Sequence, residues 1–130
     1  MLKAIVYARV STQKQAEKEI SIPAQIELAK KYAQENDIEI VKIFADEGIS
    51  GTISNRPAFQ EAIQFCKEEK IPIFLVYDTS RFSRDRIDAA FYKRQLRKHG
   101  TEVVYFGIPI PKAEGATGDL TEGLFELLDD

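Results

Sequence analysis

The chain has 130 residues, of which 44% are hydrophobic and 30% charged, and its formal net charge is −3. One domain of this size buries roughly two-thirds of its unfolded surface, and the composition excludes a disordered tail, a collagen-like fibre and a membrane-embedded chain. A single cysteine, Cys66, and a single histidine, His99, exclude an internal disulfide, leave too few ligands for an N/S-type zinc or iron–sulfur site and fit a reducing, cytoplasmic setting.

The opening Met1–Ser11 lacks the form of a cleaved signal, and no apolar run approaches the about 20 residues of a spanning helix. Leu2–Ala8 is a short apolar run with the β-formers Ile5, Val6 and Tyr7, and predicts a buried strand. Ser21–Asn36 predicts a helix. Ser21 suits its N-cap, Pro23 is tolerated in its first turn, and Ile22, Ile26, Ala29 and Ala33 recur at helical spacing. Ile38–Ala45 returns to strand character, and Asp46–Arg56 is rich in Gly, Ser, Thr and Asn, the composition of a loop. Its adjacent acids Asp46 and Glu47 fit loop solvation or a helix cap better than a metal site. Pro57 opens a second helix with Phe59, Ala62, Ile63 and Cys66 on one face. Ile71–Tyr77 is a continuous apolar run and predicts a strand. Residues 78–84 form a polar connection, a helix follows to about His99 with Gly100 as its stop, and Thr101–Phe106 is a fourth strand. Pro109–Gly118 is loop, and Leu120, Leu124, Leu127 and Leu128 begin a last helix.

Strands alternating with helices predict an α/β fold: a mainly parallel sheet of four to five strands with helices on both faces. Sites in such sheets gather at the carboxyl ends of the strands, near the point where strand order reverses. Three strand ends are dense in arginine and hydroxyl groups: Arg9–Thr12, the Asp46–Arg56 loop and Asp78–Arg84. Charge is also segregated along the chain. From Ser80 to Gly100 seven basic residues face only Asp85 and Asp88, a surplus of +5, while from Lys112 to the end one lysine faces six acids. By charge alone these are solvated helix faces.

Arg9, Arg56, Arg81 and Arg84 stay charged at any working pH, and each planar guanidinium matches phosphate oxygens in bidentate fashion. Four of them at one sheet edge repel one another unless an anion lies between, so a strongly negative guest is expected. A phosphodiester under attack gathers charge, and fixed donors aimed at that charge stabilise the transition state more than the substrate. Ser11, two residues after Arg9, shares its face on a strand. A serine needs its proton loosened to act as a nucleophile. The only histidine is predicted at the far end of a helix, which disfavours a Ser-His-Asp hydrolase, and there is no G-x-S-x-G elbow, P-loop or G-x-G-x-x-G.

Three segments, YARVSTQKQ (Tyr7 to Gln15), DEGISGTISNRPAF (Asp46 to Phe59) and SRFSRD (Ser80 to Asp85), resemble the catalytic blocks of the serine recombinases, the resolvase/invertase family. The helix opening SIPAQ (Ser21 to Gln25) is similar to that of its large members, the integrases and transposases. The resemblance covers essentially the whole chain in order and spacing. It implies a resolvase-like catalytic domain over residues 1–119, followed by the start of a long oligomerisation helix over 120–130. It implies that Ser11 attacks a DNA phosphodiester, forming a 5′-phosphoseryl link and freeing a 3′ hydroxyl, with religation needing neither ATP, metal nor another cofactor. By the same resemblance Arg9, Arg56, Arg81 and Arg84 surround the scissile phosphate, and Gln15 and Ser50 position the serine and the phosphate. Smaller members carry an aspartate where this chain has Ser80. Asp78, two residues earlier, is expected to take over part of an orienting or proton-handling role, unless no carboxylate is needed there.

The family's DNA-binding part lies downstream of this domain, so the chain is expected to be an isolated catalytic domain that binds DNA poorly, with little strand exchange by itself. DNA and further copies of the chain, as dimer and synaptic tetramer, are the expected partners, and no membrane is. The rival reading is a non-catalytic anion- or nucleotide-binding regulatory domain of doubly wound type.

Overall fold

The computed structural model describes residues 1–10, 20–47, 56–83 and 85–107. Among them four strands form one parallel sheet: β1 (Leu2–Arg9), β2 (Ile38–Asp46), β3 (Ile73–Val76) and β4 (Glu102–Tyr105), in the order β2-β1-β3-β4. The helices are α1 (Ile22–Glu35), α2 (Pro57–Glu69), the single turn α3 (Thr79–Phe82) and α4 (Arg86–Lys98). The chain steps outward from β1 to β2, then returns past β1 to β3 and β4. That reversal puts the topological switch point between the carboxyl ends of β1 and β3.

With right-handed crossovers, opposite steps place their helices on opposite faces. Accordingly Ala29 of α1 packs with Ala4, Val6, Ile73 and Leu75, while Phe59, Ala62, Ile63 and Cys66 of α2 and Leu96 of α4 pack with Ile5, Tyr7, Phe44, Phe74 and Val76. β1 is therefore buried continuously from Ala4 to Arg9, as a central parallel strand covered on both faces must be. Phe59 is the hub of the larger core. Its ring lies 5.3 Å from those of Tyr7, Phe82 and Tyr92, each edge-on. Because Phe82 belongs to α3, this aromatic cluster anchors the turn that carries Ser80 and Arg81.

The helix ends follow local chemistry. The Ser21 hydroxyl accepts from the Ala24 N–H at 3.2 Å, and Asp85 Oδ1 accepts from Ile87 and Asp88 N–H at 2.8 and 3.2 Å. Gly100, at φ 86°, ends α4 as expected, and the Thr101 N–H returns to the Leu96 carbonyl at 2.8 Å.

Three boundaries differ from expectation. Residues 78–84 contain α3, a helix too short to show periodicity and started by Asp78, whose carboxylate accepts from the Arg81 N–H. Asp46 is the last residue of β2 rather than the first of a loop. β3 begins at Ile73, since the Ile71 N–H is spent on the Cys66 carbonyl at the end of α2 and Pro72 has none. The α1 stripe also differs: its buried residues are Gln25, Ala29 and Ala33, so a polar side chain occupies the position where Ile22 and Ile26 were expected to lead. The last helix expected from Leu120 lies outside the described residues.

Burial pushes the Cys66 thiol up to about 12. Labelling by a thiol reagent at neutral pH is therefore expected to require unfolding, with a rate that follows the unfolded fraction as denaturant is added. Labelling at the rate of a free thiol in native buffer would contradict this packing.

Candidate active site

The alternation of β1 sends Tyr7 and Arg9 to the face covered by α2 and α4. Across the β1–β2 ladder Arg9 is level with Asp46. Asp46 is 3% exposed, and its carboxylate accepts three hydrogen bonds: from the Ala58 N–H (Oδ1, 3.0 Å), from the Phe59 N–H (Oδ2, 3.0 Å) and from the Tyr7 hydroxyl (Oδ2, 2.7 Å). It thus caps α2 from a neighbouring strand, where a negative charge also meets the positive end of the helix. Of the two roles weighed for the Asp46–Glu47 pair, the cap is the one Asp46 fills.

Arg56 stands at the N-cap position of α2 but makes no side-chain cap. Since Asp46 does that work, the Arg56 side chain turns inward and is 0% exposed. Its Nε donates to the Tyr7 hydroxyl at 3.0 Å and its Nη2 to the Arg81 carbonyl at 3.0 Å. The guanidinium lies over the rings of Phe59 and Tyr7, 4.3 and 5.1 Å from their centroids. Nη1 is buried and makes no hydrogen bond among the described residues. Tyr7 therefore stands between a buried cation and a buried carboxylate. Burial holds its phenol well above the ordinary value; the Arg56 charge opposes this and the hydrogen bond to Asp46 adds to it.

The third contribution comes from α3. Asp78 Oδ1 accepts from the Ser80 hydroxyl at 2.7 Å and from the Arg81 N–H at 3.0 Å, and Arg81 Nη1 donates to the Ser80 Oγ at 3.3 Å. Past Thr79, whose carbonyl accepts from the Ser83 N–H at 3.0 Å, the carbonyls of so short a helix lack intrahelical partners. Ser80 offers its carbonyl to Arg9 Nη2, and Arg81 offers its own to Arg56. One helical turn thereby joins Arg9 from β1, Arg56 from the entry to α2 and Arg81 from α3 itself.

Arg9, Arg56 and Arg81 are thus brought together from three strand ends, at 0%, 0% and 7% exposure, rather than standing on an open edge. Ser11, Gln15, Ser50 and Arg84 lie outside the described residues. His99 is exposed at the C-cap of α4, the end of the sheet away from this cluster. No group of three or more potential metal ligands occurs among the described residues, and no described helix is long and apolar enough to cross a membrane. Sequence reasoning assigned no role to Tyr7 or Gln25. Tyr7 could have been found from its place two residues before Arg9 on the same strand face; Gln25 could have been found as the polar position completing the Ala29–Ala33 stripe.

The chain is similar to several known proteins. The family model described as the N-terminal domain of resolvase matches residues 4–130. A Bacillus subtilis (strain 168) protein named "Putative DNA recombinase" is 35% identical over 100 residues, covering 77% of this chain but only 19% of that protein's length. The N-terminal catalytic domain of TP901-1 integrase is 30% identical and superposes with a TM-score of 0.77, over 98% of this chain and 93% of that one. A resolvase family site-specific recombinase from Streptococcus pneumoniae is 28% identical with a TM-score of 0.71, over 98% and 88% of the two chains.

The position of Tyr7 has a consequence at alkaline pH. Above the ordinary tyrosine value of about 10 the unfolded chain loses this proton while the folded chain keeps it, so stability falls as pH rises. In Tyr7→Phe that dependence is expected to flatten by up to about 1.4 kcal/mol per pH unit. Denaturant titrations of both proteins between pH 9 and 12 check this; identical slopes would contradict it.

Proposed function

The chain belongs to the resolvase family of serine recombinases, as a catalytic domain, and from that membership we propose that it breaks and rejoins DNA through Ser11. The Ser11 oxygen attacks a backbone phosphorus. The new Oγ–P bond replaces the bond from phosphorus to the 3′ oxygen; the Ser11 hydroxyl gives up one proton and the departing 3′ oxygen takes up one, leaving as a 3′ hydroxyl. The 5′ end stays joined to the protein as a phosphoserine ester. Because the ester retains the bond energy, a 3′ hydroxyl from another strand can reverse the step without ATP, metal or other cofactor.

The observation that carries this reading is the convergence of three buried guanidiniums at the carboxyl ends of β1 and β3, with Arg56 Nη1 left as a buried donor. The joint charge of these guanidiniums at one edge of the sheet suits a phosphoryl group, whose oxygens match guanidinium donors. In this reading Arg9, Arg56, Arg81 and Arg84 stabilise charge on the attacked phosphate, while Gln15 and Ser50 orient the serine and the phosphate. Asp78 orients this group through α3, since its carboxylate holds both the Ser80 hydroxyl and the Arg81 N–H.

Residues 1–119 make up the catalytic unit and 120–130 the start of an oligomerisation helix, through which copies assemble as dimer and synaptic tetramer. The chain spans about a fifth of the length of its Bacillus relative. Specific DNA binding is accordingly assigned to other segments, with the exposed Arg86 at the start of α4 facing the DNA backbone near the cleavage point.

Incubation of the natural protein with supercoiled DNA carrying its site is expected to give a protein–DNA adduct that survives denaturation. Ser11→Ala should abolish the adduct while leaving DNA binding in place. Arg56→Lys, which keeps the charge but not the fork, should slow its formation by about 100-fold or more. Retained binding with no adduct from the unsubstituted protein would instead indicate an anion-binding module.

Asp78→Ala is expected to slow adduct formation by about tenfold, the loss of one supporting hydrogen-bond set. An unchanged rate would remove Asp78 from the mechanism.

A further inference from the structure

Past Tyr7, β1 runs beyond the end of β3, since that ladder stops at Tyr7 and Val76. On the other side β1 remains paired with β2, through the Val10 N–H to the Asp46 carbonyl at 3.3 Å. Strand alternation then turns the N–H and C=O of Arg9 toward the β3 side, where no strand is left to receive them. The side chain of Gln25 occupies that place. Its Oε1 accepts from the Arg9 N–H at 3.3 Å, and its Nε2 donates to the Arg9 carbonyl at 3.0 Å and to the Ile20 carbonyl at 2.9 Å. Gln25 is 0% exposed, in the first turns of α1, and both of its amide hydrogens are used.

This carboxamide continues the sheet at the switch point. It also ties together the two residues, Arg9 and Ile20, that flank the segment bearing Ser11. A buried glutamine is costly unless it is bonded in this way, and an apolar residue would serve the packing of α1 equally well.

We propose that Gln25 is a positioning residue for DNA cleavage. It clamps the backbone on both sides of the Ser11 segment and so sets where the serine hydroxyl stands relative to the Arg9 guanidinium. This rests on the reading of Ser11 as nucleophile. Near-attack geometry tolerates little displacement, and an error of about 1 Å can cost about 100-fold in rate.

The test uses the natural protein and supercoiled DNA carrying the site on which the unsubstituted protein forms its adduct. Gln25→Met keeps the volume and removes all three hydrogen bonds. Its single-turnover cleavage is expected to fall by about 10- to 100-fold at saturating protein, with DNA affinity within about twofold and the protein fully folded at the assay temperature. Gln25→Glu keeps the shape. Its carboxylate cannot donate to the Arg9 carbonyl, but its protonated form can donate there while still accepting from the Arg9 N–H. Relative to the unsubstituted protein, its cleavage rate should therefore recover as pH is lowered from about 8 to about 6. Gln25→Met that is folded yet cleaves at the unsubstituted rate overturns the inference alone, as does a loss that merely follows the folded fraction. Absence of adduct from the unsubstituted protein overturns the nucleophile reading and this inference with it. Should Gln25→Met not fold, the pH dependence of Gln25→Glu decides. Amide exchange in the unsubstituted chain is an independent readout: Arg9 should exchange as slowly as the core of β1, and rapid exchange there would also overturn the clamp.

Discussion

The arrangement depends on one constraint: the Arg56 guanidinium is fully buried and must be held there. Removing a cation from water is costly unless hydrogen bonds and other favourable contacts replace the lost hydration. Here the replacement is assembled from four directions. The Tyr7 hydroxyl and the Arg81 carbonyl accept from it, and the rings of Phe59 and Tyr7 present their faces to it. Asp46 stands one hydroxyl away, joined to the cation through Tyr7. The same carboxylate caps α2, so the helix that delivers Arg56 and Phe59 is set by the group that balances the charge.

A second consequence follows at α3. This single turn would have little stability alone, since nucleating a helix fixes several residues for one hydrogen bond. It is held from below by Phe82 in the aromatic core and at its start by Asp78. Its carbonyls then receive Arg9 and Arg56. Two of the three cations are held by backbone carbonyls of this turn and the third, Arg81, by the Ser80 hydroxyl, so their positions become mutually dependent. Such preorganised donors suit a reaction in which charge develops on phosphate oxygens, because little reorganisation is needed when that charge appears.

The switch point shows a different use of the same fold. In doubly wound sheets the crevice between the diverging connections is commonly where a ligand sits. In this chain part of that space is taken by Gln25, which substitutes for a missing strand beside Arg9. The protein thus sets its own carboxamide in part of the crevice and its arginines around the adjoining turn.

Much of this was legible in the residues. The β/α alternation, the Phe59–Cys66 face of α2, the Ser21 cap and the Gly100 stop follow from periodicity and local stereochemistry, which act over a few neighbours in sequence. The family followed from three blocks in order. What could not be read was pairing at a distance. The chain alone determined that arginines crowd the carboxyl ends of the strands; only the tertiary structure decided that Asp46 caps a helix beginning eleven residues later, that Tyr7 mediates between it and Arg56, and that Gln25 continues the sheet. These are contacts between buried polar groups whose partners are fixed by how elements pack, and no local pattern encodes them, because a tyrosine, an aspartate or a glutamine in isolation is equally suited to solvent.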